Sequence, residues 1–71
     1  MVFENTSMRE VLTKIREHYN ISIRLEDESI ADKTITGILP NNSLDILLQS
    51  LEATMDFKII RNKDEILIAN P

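Results

Sequence analysis

One unit is written twice in this sequence, and that repetition limits the fold more than any other feature. The stretch Asn5-Thr6-Ser7-Met8-Arg9-Glu10-Val11-Leu12-Thr13-Lys14-Ile15 returns as Asn41-Asn42-Ser43-Leu44-Asp45-Ile46-Leu47-Leu48-Gln49-Ser50-Leu51, 36 positions on and without a gap. The same offset carries Phe3 onto Leu39, Tyr19 onto Met55, Ile21 onto Phe57 and Ile23 onto Ile59. An apolar pattern kept in register over this span marks an internal repeat. Two copies are too few for a solenoid, so they are expected to pack together in a single domain, residues 1–71. The copies are 2–25 and 38–61, with an extra strand at 65–69.

Within each copy the periodicity changes from strand to helix and back. Val2-Phe3-Glu4 is a short strand. Met8, Val11, Leu12 and Ile15 then fall at i, i+3, i+4 and i+7, the apolar stripe of a helix reaching Tyr19. Arg9, Glu10, Thr13, Lys14, Arg16 and Glu17 take the opposite face, where Glu10 and Lys14 have the spacing of a helix ion pair. Thr6 is the expected N-cap, with Ser7 as competitor because Ser7 and Glu10 match a capping box. Asn20 suits the left-handed residue that ends a helix. Ile21 to Glu26 alternates as a half-buried strand, and Ile30 is expected to pin the polar turn that follows. Thr34 to Leu39 is a β-branched strand whose inward face holds Ile35, Gly37 and Leu39, with Gly37 marking a bulge or a close backbone approach.

In the second copy Asn42 is the expected N-cap by equivalence with Thr6, and Leu44, Leu47, Leu48, Leu51 and Met55 form the buried stripe. Asp56 takes the place of Asn20. Phe57 to Arg61, the turn Asn62-Lys63-Asp64, and Glu65 to Ala69 read as a hairpin. The element order is β-α-β-β-α-β-β: an α+β fold of two βαβ-like units, with two helices packed between small sheets.

Catalytic material is scarce. There is no cysteine and one histidine, so nucleophile-base partnerships have almost nothing to draw on. His18, near a helix C-terminus, reads as an imidazole favoured by the helix dipole. Glu26, Asp27, Glu28 and Asp32 crowd one loop, but without the alternation and glycine of a calcium site they read as a solvated acidic loop. Gly37 is the only glycine, which removes Gly-rich phosphate loops and the GxxG loop of KH-type RNA binders. A net charge of −4 argues against nucleic acid and anionic membrane surfaces as partners. No enzyme activity, cofactor or metal is expected, and protein partners remain. No apolar run approaches the roughly 18 to 20 residues of a membrane span, and no leader is visible; a piece cut from a longer protein would read the same way.

Where the copies disagree, a partner has room. Glu10, Thr13, Lys14 and Glu17 of the first helix become Ile46, Gln49, Ser50 and Ala53 of the second. This softer strip is either covered inside the fold or a partner-binding surface. The other route to a partner is strand addition at an exposed sheet edge.

Phe3-Glu4-Asn5-Thr6-Ser7-Met8-Arg9-Glu10-Val11-Leu12, followed by His18-Tyr19-Asn20-Ile21-Ser22-Ile23, resembles the start of the C-terminal domain of FecR-type anti-sigma factors. Thr36-Gly37-Ile38, Asn42-Ser43-Leu44-Asp45-Ile46-Leu47-Leu48 and Phe57-Lys58-Ile59 continue the likeness in order, so that it spans Val2 to Ala69. That family usually has proline where Ser7 stands, which supports Thr6 as the cap. The short N-terminal domain of secretins and TonB-dependent receptors, a plug or ring module, is the alternative. Those domains tend to carry a glycine in the turn that is here Ala53-Thr54-Met55-Asp56. The resemblance implies a periplasmic receiver domain of a FecR-like regulator whose membrane anchor lies upstream. Its implied partner is the N-terminal signalling domain of a TonB-dependent outer-membrane transducer.

Overall fold

Alternating and helical periodicities produce their elements in the expected order. In the computed structural model, which describes residues 1–71, strand β1 is Val2–Ser7, helix α1 Met8–Tyr19 and strand β2 Ser22–Leu25. A short 3-10 helix at Glu28–Asp32 leads to β3, Thr34–Ile38; α2 is Leu44–Met55, β4 Lys58–Arg61 and β5 Glu65–Ala69. β1 pairs antiparallel with β3, and a three-stranded sheet has the order β2-β5-β4. β5 runs parallel to β2 and antiparallel to β4. The repeat-equivalent strands β2 and β4 therefore run in opposite directions on either side of β5. β1 and β3 are antiparallel neighbours that place the offset-related residues Val2 and Ile38 opposite each other, although the rest of β3 precedes the second copy.

Both copies feed one core. Phe3, Val11, Leu12 and Ile15 and their equivalents Leu39, Leu47, Leu48 and Leu51 are all at most 4% exposed, joined by Ile66 and Ile68 of β5. Burying side chains of this size contributes roughly 1.5–3 kcal/mol each, which is how so short a chain holds together. Leu44 and Met55, at the ends of the second stripe, are only half-buried. Ile30 is fully buried in the 3-10 turn, as its place in a polar loop required. Asn20 (φ 55°) and Asp56 (φ 56°) both end their helices in the left-handed conformation, which Asn and Asp tolerate better than other side chains.

Both expected N-caps move by one residue. Ser7, not Thr6, caps α1: its backbone is extended and its Oγ accepts the Glu10 amide at 3.3 Å. The cause is a bulge in β1. Glu4 and Asn5 together oppose Thr36, Asn5 adopts φ 49°, and its amide donates to Thr36 Oγ1 at 2.8 Å. Thr6 therefore stays within the strand, its hydroxyl turned onto the backbone of Glu4. At α2 the cap position is Ser43, whose carbonyl accepts the Leu47 amide but whose side chain makes no capping bond; Asn42 lies outside the helix.

Gly37 faces this bulge, paired with Phe3, at φ 147°, a torsion that L side chains rarely adopt. Its flanking partners on that face, Ile35 and Leu39, are buried, but Gly37 itself is exposed. Glu10 and Lys14 do not close into an ion pair. The ion pairs formed are Arg9–Asp32, Arg24–Glu65 and Arg61–Asp45, all among solvated side chains and worth little individually.

Candidate partner-binding surface

Helix α2 buries Leu47, Leu48 and Leu51, which fixes where its other faces point. At 100° per residue, Ile46, Gln49, Ser50 and Ala53 lie opposite that stripe, on the side away from the core. Gln49 and Ala53 are exposed, Ser50 is half-buried, and Ile46 keeps 43% of its surface in water. The strip is not covered within the fold. Beside it, Asp45, Leu48, Gln49 and Glu52 of α2 and Ile59 and Arg61 of β4 line a shallow groove of about 370 Å3.

The sheet edges are met by charged residues of the helix flanks, among them Arg16, which the periodicity assigns to the polar face. Arg16 is half-buried, and its Nη2 donates to the carbonyl of Ile23, on edge strand β2, at 3.1 Å. Its repeat equivalent Glu52 accepts the amide of Ile59, on edge strand β4, at 2.9 Å. Each helix thus extends one charged side chain to the outer strand of its own copy. The charge reverses because one strand presents a carbonyl and the other an amide. A signal for this existed in the sequence: the offset that aligns Ile23 with Ile59 aligns Arg16 with Glu52.

Other singled-out residues have structural tasks. His18 is exposed in the last turn of α1, edge-on to Tyr19 at 4.7 Å, while the Tyr19 hydroxyl donates to the Asn41 carbonyl at 2.7 Å. Asp27 caps the 3-10 helix by accepting the Ser29 amide at 3.0 Å. That backbone bond and the Ser29 hydroxyl, with lesser help from Asn70 and Lys33, hold its carboxyl below the usual aspartate value against the opposing effect of desolvation. No three acidic or histidine side chains converge as metal ligands would. No helix is long and apolar enough to cross a membrane.

Comparison with known proteins agrees with this architecture. The family model described as FecR, C-terminal, matches residues 1–68. The chain belongs to that family. Two crystal structures of a provisionally assigned anti-sigma factor from Parabacteroides distasonis ATCC 8503, at 1.65 and 2.50 Å resolution, superpose with TM-scores of 0.86 and 0.87. Each is 21% identical to this chain and is matched over the whole of it, which establishes a shared fold. This chain spans about a third of the length of those proteins, 34% and 33%. No curated protein matches it.

Proposed function

We propose that this FecR C-terminal domain is the periplasmic receiver module of an anti-sigma regulator. It binds the N-terminal signalling domain of a TonB-dependent outer-membrane transducer and relays its state to the rest of the regulator. The observation that carries this reading is the family match over residues 1–68, essentially the whole chain. The uncovered outer face of α2 supports it. Ile46, Gln49, Ser50 and Ala53 supply a weakly polar, uncharged strip with Ile46 standing out of it, the composition expected where a partner displaces water.

Titrating the domain with the signalling domain of its transducer tests the reading, and saturable binding is expected. Ile46→Arg should lower the affinity by about tenfold or more, while unfolding stays within roughly 0.5 kcal/mol of the parent. Glu10→Arg, at the equivalent position of α1, should leave binding unchanged. Absence of binding by the parent domain at high concentration would remove the receiver role. Unfolding by Ile46→Arg would return Ile46 to the core and take the α2 face out of the proposal.

A further inference from the structure

The two sheets present four strand edges: the outer sides of β2 and β4, and one free side each on β1 and β3. Three of them are stoppered by a side chain. Arg16 occupies the Ile23 carbonyl on β2, and Glu52 occupies the Ile59 amide on β4. On β1, the Thr6 hydroxyl engages both backbone groups of Glu4, at 3.2 and 3.3 Å, beside the left-handed Asn5 of the bulge. Occupied backbone groups and bulges are devices that stop an incoming strand from extending a ladder.

β3 has no such device. The Leu39 amide donates to Met1 at 2.8 Å and the Met8 amide donates to Lys33 at 2.7 Å, which sets the alternation along the pair. Residues 35, 37 and 39 turn their backbone groups toward β1, as Lys33 does its carbonyl, leaving those of Thr34, Thr36 and Ile38 facing outward. Thr34-Ile35-Thr36-Gly37-Ile38 contains no charge and no proline to guard this side. It ends on Ile38, 76% exposed, directly opposite Val2, 77% exposed. An open row of amides and carbonyls beside an uncovered apolar pair has one chemical complement, an extended backbone with an apolar side chain in register.

We propose that the free edge of β3 accepts an extended segment of the partner protein. The segment becomes a third strand on the β1–β3 sheet and lays an apolar side chain over Val2 and Ile38. This rests on the receiver reading and adds to it the form of the partner's contact. A second copy of the chain fits less well. Antiparallel pairing of two β3 strands about Thr36 sets Thr34 against Ile38, so the apolar pair gains only threonine for a neighbour. Two such domains, each of net charge −4, also repel. The same charge favours a neutral or basic segment.

Amide hydrogen exchange on the free domain, then on the domain saturated with the transducer's signalling domain, tests the proposal. In the free domain the Ile59 amide is protected, whereas those of Thr36 and Ile38 exchange freely. In the complex Thr36 and Ile38 gain protection of about tenfold or more. Ile38→Pro removes the outward amide and Ile38→Lys keeps it but charges the edge; both should weaken binding by about tenfold or more. Denaturation midpoints identify any variant that fails to fold, and Ile38→Lys, which spares the backbone, then decides. Binding that leaves Thr36 and Ile38 unprotected, or that both variants retain in full, overturns the β3 contact while leaving the receiver reading intact. Protection that appears with domain concentration alone, accompanied by dimerisation in sedimentation, assigns the edge to a second copy and overturns the partner assignment. A parent domain that binds nothing overturns the receiver reading itself.

Discussion

Helices α1 and α2 occupy equivalent places in the two copies and agree along the middle of their buried stripes, although Met8 is fully buried and its equivalent Leu44 only half-buried. Val11, Leu12 and Ile15 match Leu47, Leu48 and Leu51, all buried. Both helices end on a left-handed Asn or Asp. Their flanks agree in task and differ in chemistry, since Arg16 and Glu52 each reach an edge strand with opposite charge. Their outer faces agree in nothing: Glu10, Thr13, Lys14 and Glu17 against Ile46, Gln49, Ser50 and Ala53. Burial by the other copy holds the inner positions to one solution. A flank position must only reach its own strand, and an outer position is constrained by neither.

The largest test of this equivalence is a matched pair in the core. Ile15→Ala and Leu51→Ala should each destabilise the domain by about 3 kcal/mol in urea titrations, a large share of the stability of so small a fold. A gap of more than about 2 kcal/mol between them would mean that the two helices do not share the core equally. The flank pair comes next. Arg16→Ala and Glu52→Ala should each cost about 1 kcal/mol, discounted because both sites are partly solvated. Only Glu52→Ala should speed exchange of the Ile59 amide, and equal acceleration in both variants would break the claim that each helix guards its own strand.

The caps sharpen the contrast further. Ser7→Ala should cost about 1 kcal/mol and Ser43→Ala close to nothing, because only Ser7 makes a capping bond. The smallest effect belongs to Asp27, in the connection between the copies. Its folded carboxyl titrates below the unfolded value of 3.8, so its contribution is complete above that pH and is lost as pH falls through the lower folded value. Asp27→Asn should remove that small contribution above about pH 5 and flatten the acid limb, leaving the pH dependence above about pH 5 unaltered.

Much of the fold was legible because a repeat reports the core twice. The five strands, both α-helices with their C-terminal ends and the buried role of Ile30 follow from spacing and from residues such as Asn20 and Asp56, whereas spacing predicts only a turn where the 3-10 helix around Ile30 forms. The choice between Thr6 and its competitor Ser7 was not legible, and for one physical reason. A single extra residue in β1, allowed by Asn5 and faced by Gly37, keeps Thr6 in the strand and hands the cap to Ser7. Sequence equivalence then carried the same error to Asn42. The strip on α2 was legible as a disagreement between copies, and the geometry sets it on the outward side of the helix. The offset sets Arg16 against Glu52 as it sets Ile23 against Ile59, but it does not reveal their edge-guarding role, because a charged side chain on a helix flank looks the same whether it meets water or a backbone group. Which strands are edges depends on long-range pairing that local pattern does not contain.

β5 lies between the strands of both copies but comes after both in the chain. Neither β2 nor β4 touches the other; each has β5 as its only sheet neighbour. Ser22 must therefore wait for Glu65, its partner in the parallel ladder, before its side of the sheet can close. Pairings between residues so far apart in sequence are slow to form, because the chain entropy of the intervening loop is lost before any contact rewards it. During synthesis the helices and the β1–β3 pair can assemble early, and the other sheet has to wait for the final strand. An order of assembly is thus written into the topology: two similar halves made in turn, then joined by the strand that belongs to neither.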